Sequence, residues 1–212
     1  MINTIRSQMK KLFAVLDLVL AFGMLAAPAF AGPKAYISGN LGGSSFSDIK
    51  PTDSVTTIAT ASGINVTGAA GVKCCVTHIR LEGEVGYQKN NADTIKNGSG
   101  VYGLTGNYTV TSYMANAYYD LNAVFLSPYL TAGIGVAEVG VNNVVNPLYT
   151  ANEKHSVLGY QFGAGVAIPV SKFIDLDVRY RYFGTGKVVL SNHNGEFKLP
   201  GNSVLVGLRV GL

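Results

Sequence analysis

The chain has 212 residues, enough for one domain with a substantial core, and 48% apolar against 13% charged residues excludes a solvated, disordered polypeptide. Glycine fills 26 positions and tryptophan none, a composition that disfavours a helical bundle and suits closely spaced strands. The formal charge of +4 includes Arg6, Lys10 and Lys11, so the remainder is nearly balanced and implies no nucleic-acid partner.

Residues 1–31 read as an address. A cationic start is followed by an apolar run, residues 12–27, and then by the small-residue site Ala29-Phe30-Ala31. The run contains Asp17, ends at Pro28 and falls short of the roughly 20 apolar residues of a helical span, so it predicts a secretory signal peptide cleaved after Ala31. Met9-Lys10-Lys11 offers an alternative start of translation. Residues 32–212 then form one domain. No later stretch approaches 18 consecutive apolar residues, so only strands could cross a membrane.

Beyond residue 31 the side chains alternate with a period of two, which places neighbours on opposite faces of a strand. Eight strands are predicted in chain order, over residues 35–45, 63–73, 78–88, 112–122, 127–139, 157–169, 174–183 and 204–212. In the third, Ile79, Leu81, Val85 and Tyr87 oppose Arg80, Glu82, Glu84 and Gln88; in the seventh, Ile174, Leu176, Val178 and Tyr180 oppose Asp175, Asp177, Arg179 and Arg181. About ten tilted residues suffice to cross a bilayer. The connections alternate in length: 46–62, 89–111, 140–156 and 184–202 are long, whereas 74–77, 123–126 and 170–173 are short. That alternation matches a barrel with short periplasmic turns and long outer loops. The fold class is therefore all-β, an eight-stranded antiparallel transmembrane up-and-down barrel.

Charge decides which face is which. An Arg or Lys facing lipid at the midplane costs about 2–4 kcal/mol, so the ionisable face must be the lumen. It collects Lys73, Arg80, Arg179, Arg181 and Arg209 with Glu82, Glu84, Asp120, Asp175 and Asp177. An eight-stranded barrel is only wide enough for side chains to fill, so a sealed, paired network is expected, with a narrow ion path as the alternative. Asp175 or Asp177 is the expected partner of Arg209. Depth along the strands makes Asp120 a candidate partner for Arg179, with Glu84 and Asp177 competing.

Four segments resemble a known family: Tyr36-Ile37-Ser38-Gly39-Asn40-Leu41-Gly42-Gly43, Pro128-Tyr129-Leu130-Thr131-Ala132-Gly133-Ile134-Gly135, Tyr160-Gln161-Phe162-Gly163-Ala164-Gly165-Val166 and Asp175-Leu176-Asp177-Val178-Arg179-Tyr180-Arg181-Tyr182-Phe183. They are similar to the small porin-like barrels that include opacity adhesins and bacterial surface antigens. The resemblance implies an integral protein of the cell outer membrane of a Gram-negative bacterium, with exposed loops and adhesin-like or structural roles. Its partners would be outer-membrane lipid including lipopolysaccharide, the barrel-insertion machinery, and a host or environmental ligand at the loops, with the protein a monomer. Family members usually end in an aromatic residue that helps insertion; the last residue here is Leu212.

Other candidate sites are weaker. Cys74 and Cys75 in an oxidising turn could close a strained vicinal disulfide, stay free or meet an external partner. No metal-ligand spacing accompanies them or the scattered His78, His155 and His193. His155 and Ser156 are adjacent on a strand and point to opposite faces, so they make no nucleophile and base. Neither an enzyme nor a cofactor is expected. Tyr36, Tyr119, Tyr129 and Phe173 are expected in an inner aromatic girdle, and Tyr87, Tyr160, Phe162 and Tyr182 in an outer one.

Overall fold

The computed structural model describes residues 34–47, 57–74, 78–97, 100–103, 105–121, 126–146, 149–189 and 196–212. The predicted signal peptide and cleavage site, Cys75 and His193 lie outside the described residues.

Eight long strands form the wall: β1 (Lys34–Phe46), β2 (Thr57–Lys73), β3 (Ile79–Asn97), β5 (Thr105–Asp120), β6 (Ser127–Asn146), β7 (Tyr149–Pro169), β8 (Ile174–Thr185) and β11 (Gly201–Gly211). Each pairs antiparallel with its neighbours in the order β2-β1-β11-β8-β7-β6-β5-β3, and the β2–β3 ladder closes the ring. Closure removes the unpaired edges that hydrocarbon would not tolerate. Three short strands sit at the outer end: β4 (Gly100–Gly103) pairs antiparallel with the tip of β3, and β9 (Val188–Val189) pairs with β10 (Glu196–Phe197).

The barrel is inside out relative to a protein in water. Leu41 is 59% exposed and Leu130, Ile134, Leu158, Val204 and Leu208 are exposed like it, whereas Arg80 is 1% and Glu84 0% exposed. That is the arrangement period-two alternation dictates when the outside solvent is lipid and the inside is closed.

The outer connections are shorter than the alternation suggested. β2 begins at Thr57, β3 runs to Asn97, β5 begins at Thr105, and β6 pairs with β7 out to Asn146 opposite Tyr149, leaving residues 147–148 to join them. Residues expected in loops thus continue the ladders. Backbone pairing does not require the regular apolar–polar alternation by which a membrane strand is recognised, so the ladders run on where that pattern fades.

Glycines let the ring of one strand lie over the backbone of the next. Tyr36 opposes Gly71 and Tyr129 opposes Gly165, and a Cβ on either glycine would fall about 2.5 Å from the tyrosine ring or hydroxyl. The glycine-rich faces are slots for aromatic side chains.

Candidate functional site

The lumen is the site, and alternate residues of the eight long strands build it. At the inner end Asp120 on β5 takes both Nε contacts of Arg80 at 2.9 Å and faces Lys73 at 3.4 Å. The Arg80 guanidinium also lies 4.2 Å from the ring centre of Tyr118 and 5.1 Å from that of Tyr129. Such stacking supplements a charge that has left water. Beside it Arg209 donates to Asp177 at 2.9 Å and approaches Asp175 at 3.7 Å, while the Tyr129 hydroxyl donates to Asp177 at 2.7 Å.

At mid-depth the partners come from across the barrel. Arg179 and Arg181 on β8 meet the two carboxylate oxygens of Glu84 on β3 at 3.0 and 3.3 Å. Gln161 also donates to Glu84, and to Asn116. Glu82 is held by hydroxyls: Tyr36 donates at 2.9 Å and Tyr118 at 2.6 Å, and these oxygens in turn accept from Arg80 and Arg179. A continuous run of hydrogen bonds therefore links Asp120, Arg80, Tyr36, Glu82, Tyr118, Arg179 and Glu84. Each ion is bonded to several groups, the condition under which buried charges are retained.

Above the charges lies a neutral layer in which Asn65 donates to Gln88 and Ser203 and both Ser44 and Gln88 donate to Asn90. The outer mouth is closed by an apolar cluster, Phe46, Tyr108, Val110, Met114, Ala137, Val139, Phe183 and Leu199. Leu199 is pinned there because its amide donates to Thr185 Oγ1 at 3.0 Å and the next carbonyl, of Pro200, accepts from Ser47.

The structure brings all ten lumen residues of the sequence analysis to the interior or its inner rim, and corrects several details. Arg179 does not meet Asp120, which is bound to Arg80 and Lys73; the partner of Arg179 is Glu84. Tyr36 and Tyr129 are not girdle residues, because both are buried and hydrogen-bonded to lumen carboxylates. Tyr119, Phe173, Tyr87 and Phe162 do face outward and are exposed. Cys74 is a buried, free thiol whose amide donates to Ile79 O and holds the residue to the strand end, while its neighbour Cys75 lies outside the described residues. On β7 His155 is half-buried and Ser156 exposed, on opposite faces. Sequence reasoning missed the apolar mouth and the tyrosine hydroxyls. Phe183 sharing the Arg179 and Arg181 face was the available signal for the first.

An antiparallel closed barrel with an aliphatic exterior and a charged interior defines the class of outer-membrane β-barrel proteins. Residues 18–210 match the family described as the outer membrane protein beta-barrel domain, and the chain belongs to that family. It is 32% identical over 115 residues to outer membrane protein PagN of Salmonella typhimurium, 47% of this chain and 48% of that protein. It is 30% identical over 132 residues to the 25 kDa outer-membrane immunogenic protein of Brucella abortus, 60% of this chain and 55% of that one. The chain spans about half the length of the curated relatives it matches. Among solved structures it is similar in fold to Neisserial surface protein A, with a TM-score of 0.58 and 21% identity over 83% of this chain and 96% of the other. The protein is an integral component of the cell outer membrane.

Proposed function

We propose that this is a surface protein of structural or adhesin-like type, whose outer connections meet host or environmental ligands and whose lumen conducts nothing. The filled interior carries this reading. The void left among Ser38, Asn40, Arg80, Tyr118 and Asp177 is about 10 Å³, room for at most one water, and the apolar cluster stands above it. The charges brace the wall rather than select ions, and no substrate could reach them. The barrel acts as a monomer without cofactor or catalysis. It inserts with the help of the insertion machinery and sits among outer-membrane lipid including lipopolysaccharide. The names of the relatives support surface display: the Brucella protein is called immunogenic.

Planar-bilayer recording of the purified protein is the test, paired with adhesion of cells displaying it. We expect no reproducible single-channel steps, and adhesion that changes when the outer connections are exchanged. Steady small-conductance steps from the unaltered protein would overturn the sealed lumen and put a narrow porin in its place.

A further inference from the structure

Strand register makes rows of outward side chains climb around the barrel. Leu81 opposes Ala117, Ala117 opposes Ala132, Ala132 opposes Phe162, Phe162 opposes Tyr182, and Tyr182 opposes Asn202. Leu81 lies near the inner start of β3 and Asn202 near the outer start of β11, so the row rises from the inner to the outer rim. Five strand intervals of about 4.8 Å make it roughly 24 Å long.

In the lower half of this row two alanines stand between Leu81 and Phe162, and Ala115 and Ile134 lie in the row beside them. The missing bulk leaves an open groove of about 490 Å³ on the lipid-facing wall, with Leu81, Ile134, Tyr160 and Phe162 as its sides. That is within the range of sites that hold small molecules. Its upper end is polar. The Tyr160 ring lies over Gly184 and 6.4 Å from the Tyr182 ring, which brings two phenol side chains together there. The exposed Lys198 stands within electrostatic reach of the Tyr182 hydroxyl.

We propose that this groove and its upper end form a seat for one outer-leaflet lipid with a phosphorylated headgroup, an acyl chain lying over Ala117 and Ala132 and the phosphate on Lys198 and the Tyr182 hydroxyl. Shape and charge both select this occupant. A hollow on a convex barrel cannot be filled by the convex face of a second copy, and two hollows facing across a two-fold axis would enclose a void. A flexible hydrocarbon chain fills it, and the cation lies where the headgroup of such a lipid would be.

Native mass spectrometry of the full barrel in mild detergent, titrated separately with diphosphorylated lipid A and with phosphatidylcholine, tests the seat. We expect one lipid A retained about tenfold more tightly than phosphatidylcholine. Lys198→Gln should weaken lipid A alone, by about fivefold. Ala117→Leu should weaken both lipids by filling the groove, and Ala115→Leu gives the same test from the neighbouring position if that variant fails to insert. Equal retention of the two lipids by the unaltered protein, or groove filling without effect on lipid A, would overturn the proposal. So would a dimer that Ala117→Leu dissociates.

Discussion

Arg179 on β8 reaches Glu84 on β3 at 3.0 Å, although the two strands are four steps apart in either direction around the ring. The contact spans the full width of the barrel. A bridge there ties opposite walls together, and its atoms occupy the space through which a solute would have to pass.

Removal of single members of this bridge should be unequal in cost. Arg179→Met leaves Glu84 with Arg181 and Gln161, whereas Glu84→Gln leaves two buried guanidinium groups short of their acid. Breaking a buried pair costs about 3–5 kcal/mol, so Glu84→Gln should stand at the upper end and Arg179→Met at the lower. The double variant should cost much less than the sum of the two. Asp120→Asn should give Arg179→Met no rescue. Urea-induced unfolding from lipid vesicles measures all four.

Asp120 offers a second comparison, because its two cations differ in depth. Arg80 is buried, while the Lys73 side chain is 41% exposed at the inner rim. Lys73→Ala should change stability by under about 1 kcal/mol, and Arg80→Met by about 3 kcal/mol or more. Raising the salt concentration in the same unfolding assay should reduce only the Lys73 contribution.

Gly165→Ala should displace Tyr129. The added Cβ would fall 2.4 Å from the Tyr129 hydroxyl, which must then leave Asp177. Overpacking of this kind costs about 1–3 kcal/mol, and the temperature at which the folded barrel loses its faster gel migration should fall accordingly. Gly68→Ala, where nothing lies within 4 Å of the added atom, should leave that temperature unchanged.

Loop surgery should depend on where the apolar mouth begins. Deletion of residues 94–108, which the sequence places in an exposed loop tip, takes Tyr108 from the cluster that closes the barrel. It should destabilise the protein by at least the roughly 3 kcal/mol of a buried aromatic truncation. Deletion of residues 97–104 spares Tyr108 and should leave the unfolding midpoint within about 0.5 kcal/mol of the parent.

Strand faces were legible because lipid and lumen sort side chains with a period of two over the whole height of the membrane, and this rule is local. Alternation along β3 alone separated Leu81 and Val85 from Glu82 and Glu84, and the short inner turns set the direction of the chain. The outer thirds of β5, β6 and β7 were not legible, since backbone pairing continues there without the regular apolar–polar alternation that marks a strand.

Partnership within the lumen obeys no local rule. Sequence by itself determined the inward set of five acids and five bases, because hydrocarbon excludes charge from the other face. Only the closed ring decided that Glu84 belongs to Arg179 and Arg181 and Asp120 to Arg80. It also set the Tyr36 and Tyr129 hydroxyls on Glu82 and Asp177 and brought Leu199 down onto Phe46 and Phe183. Those choices depend on which strands lie opposite and on how far the register climbs between them. Both are properties of the whole circumference, and they appear only when β2 meets β3.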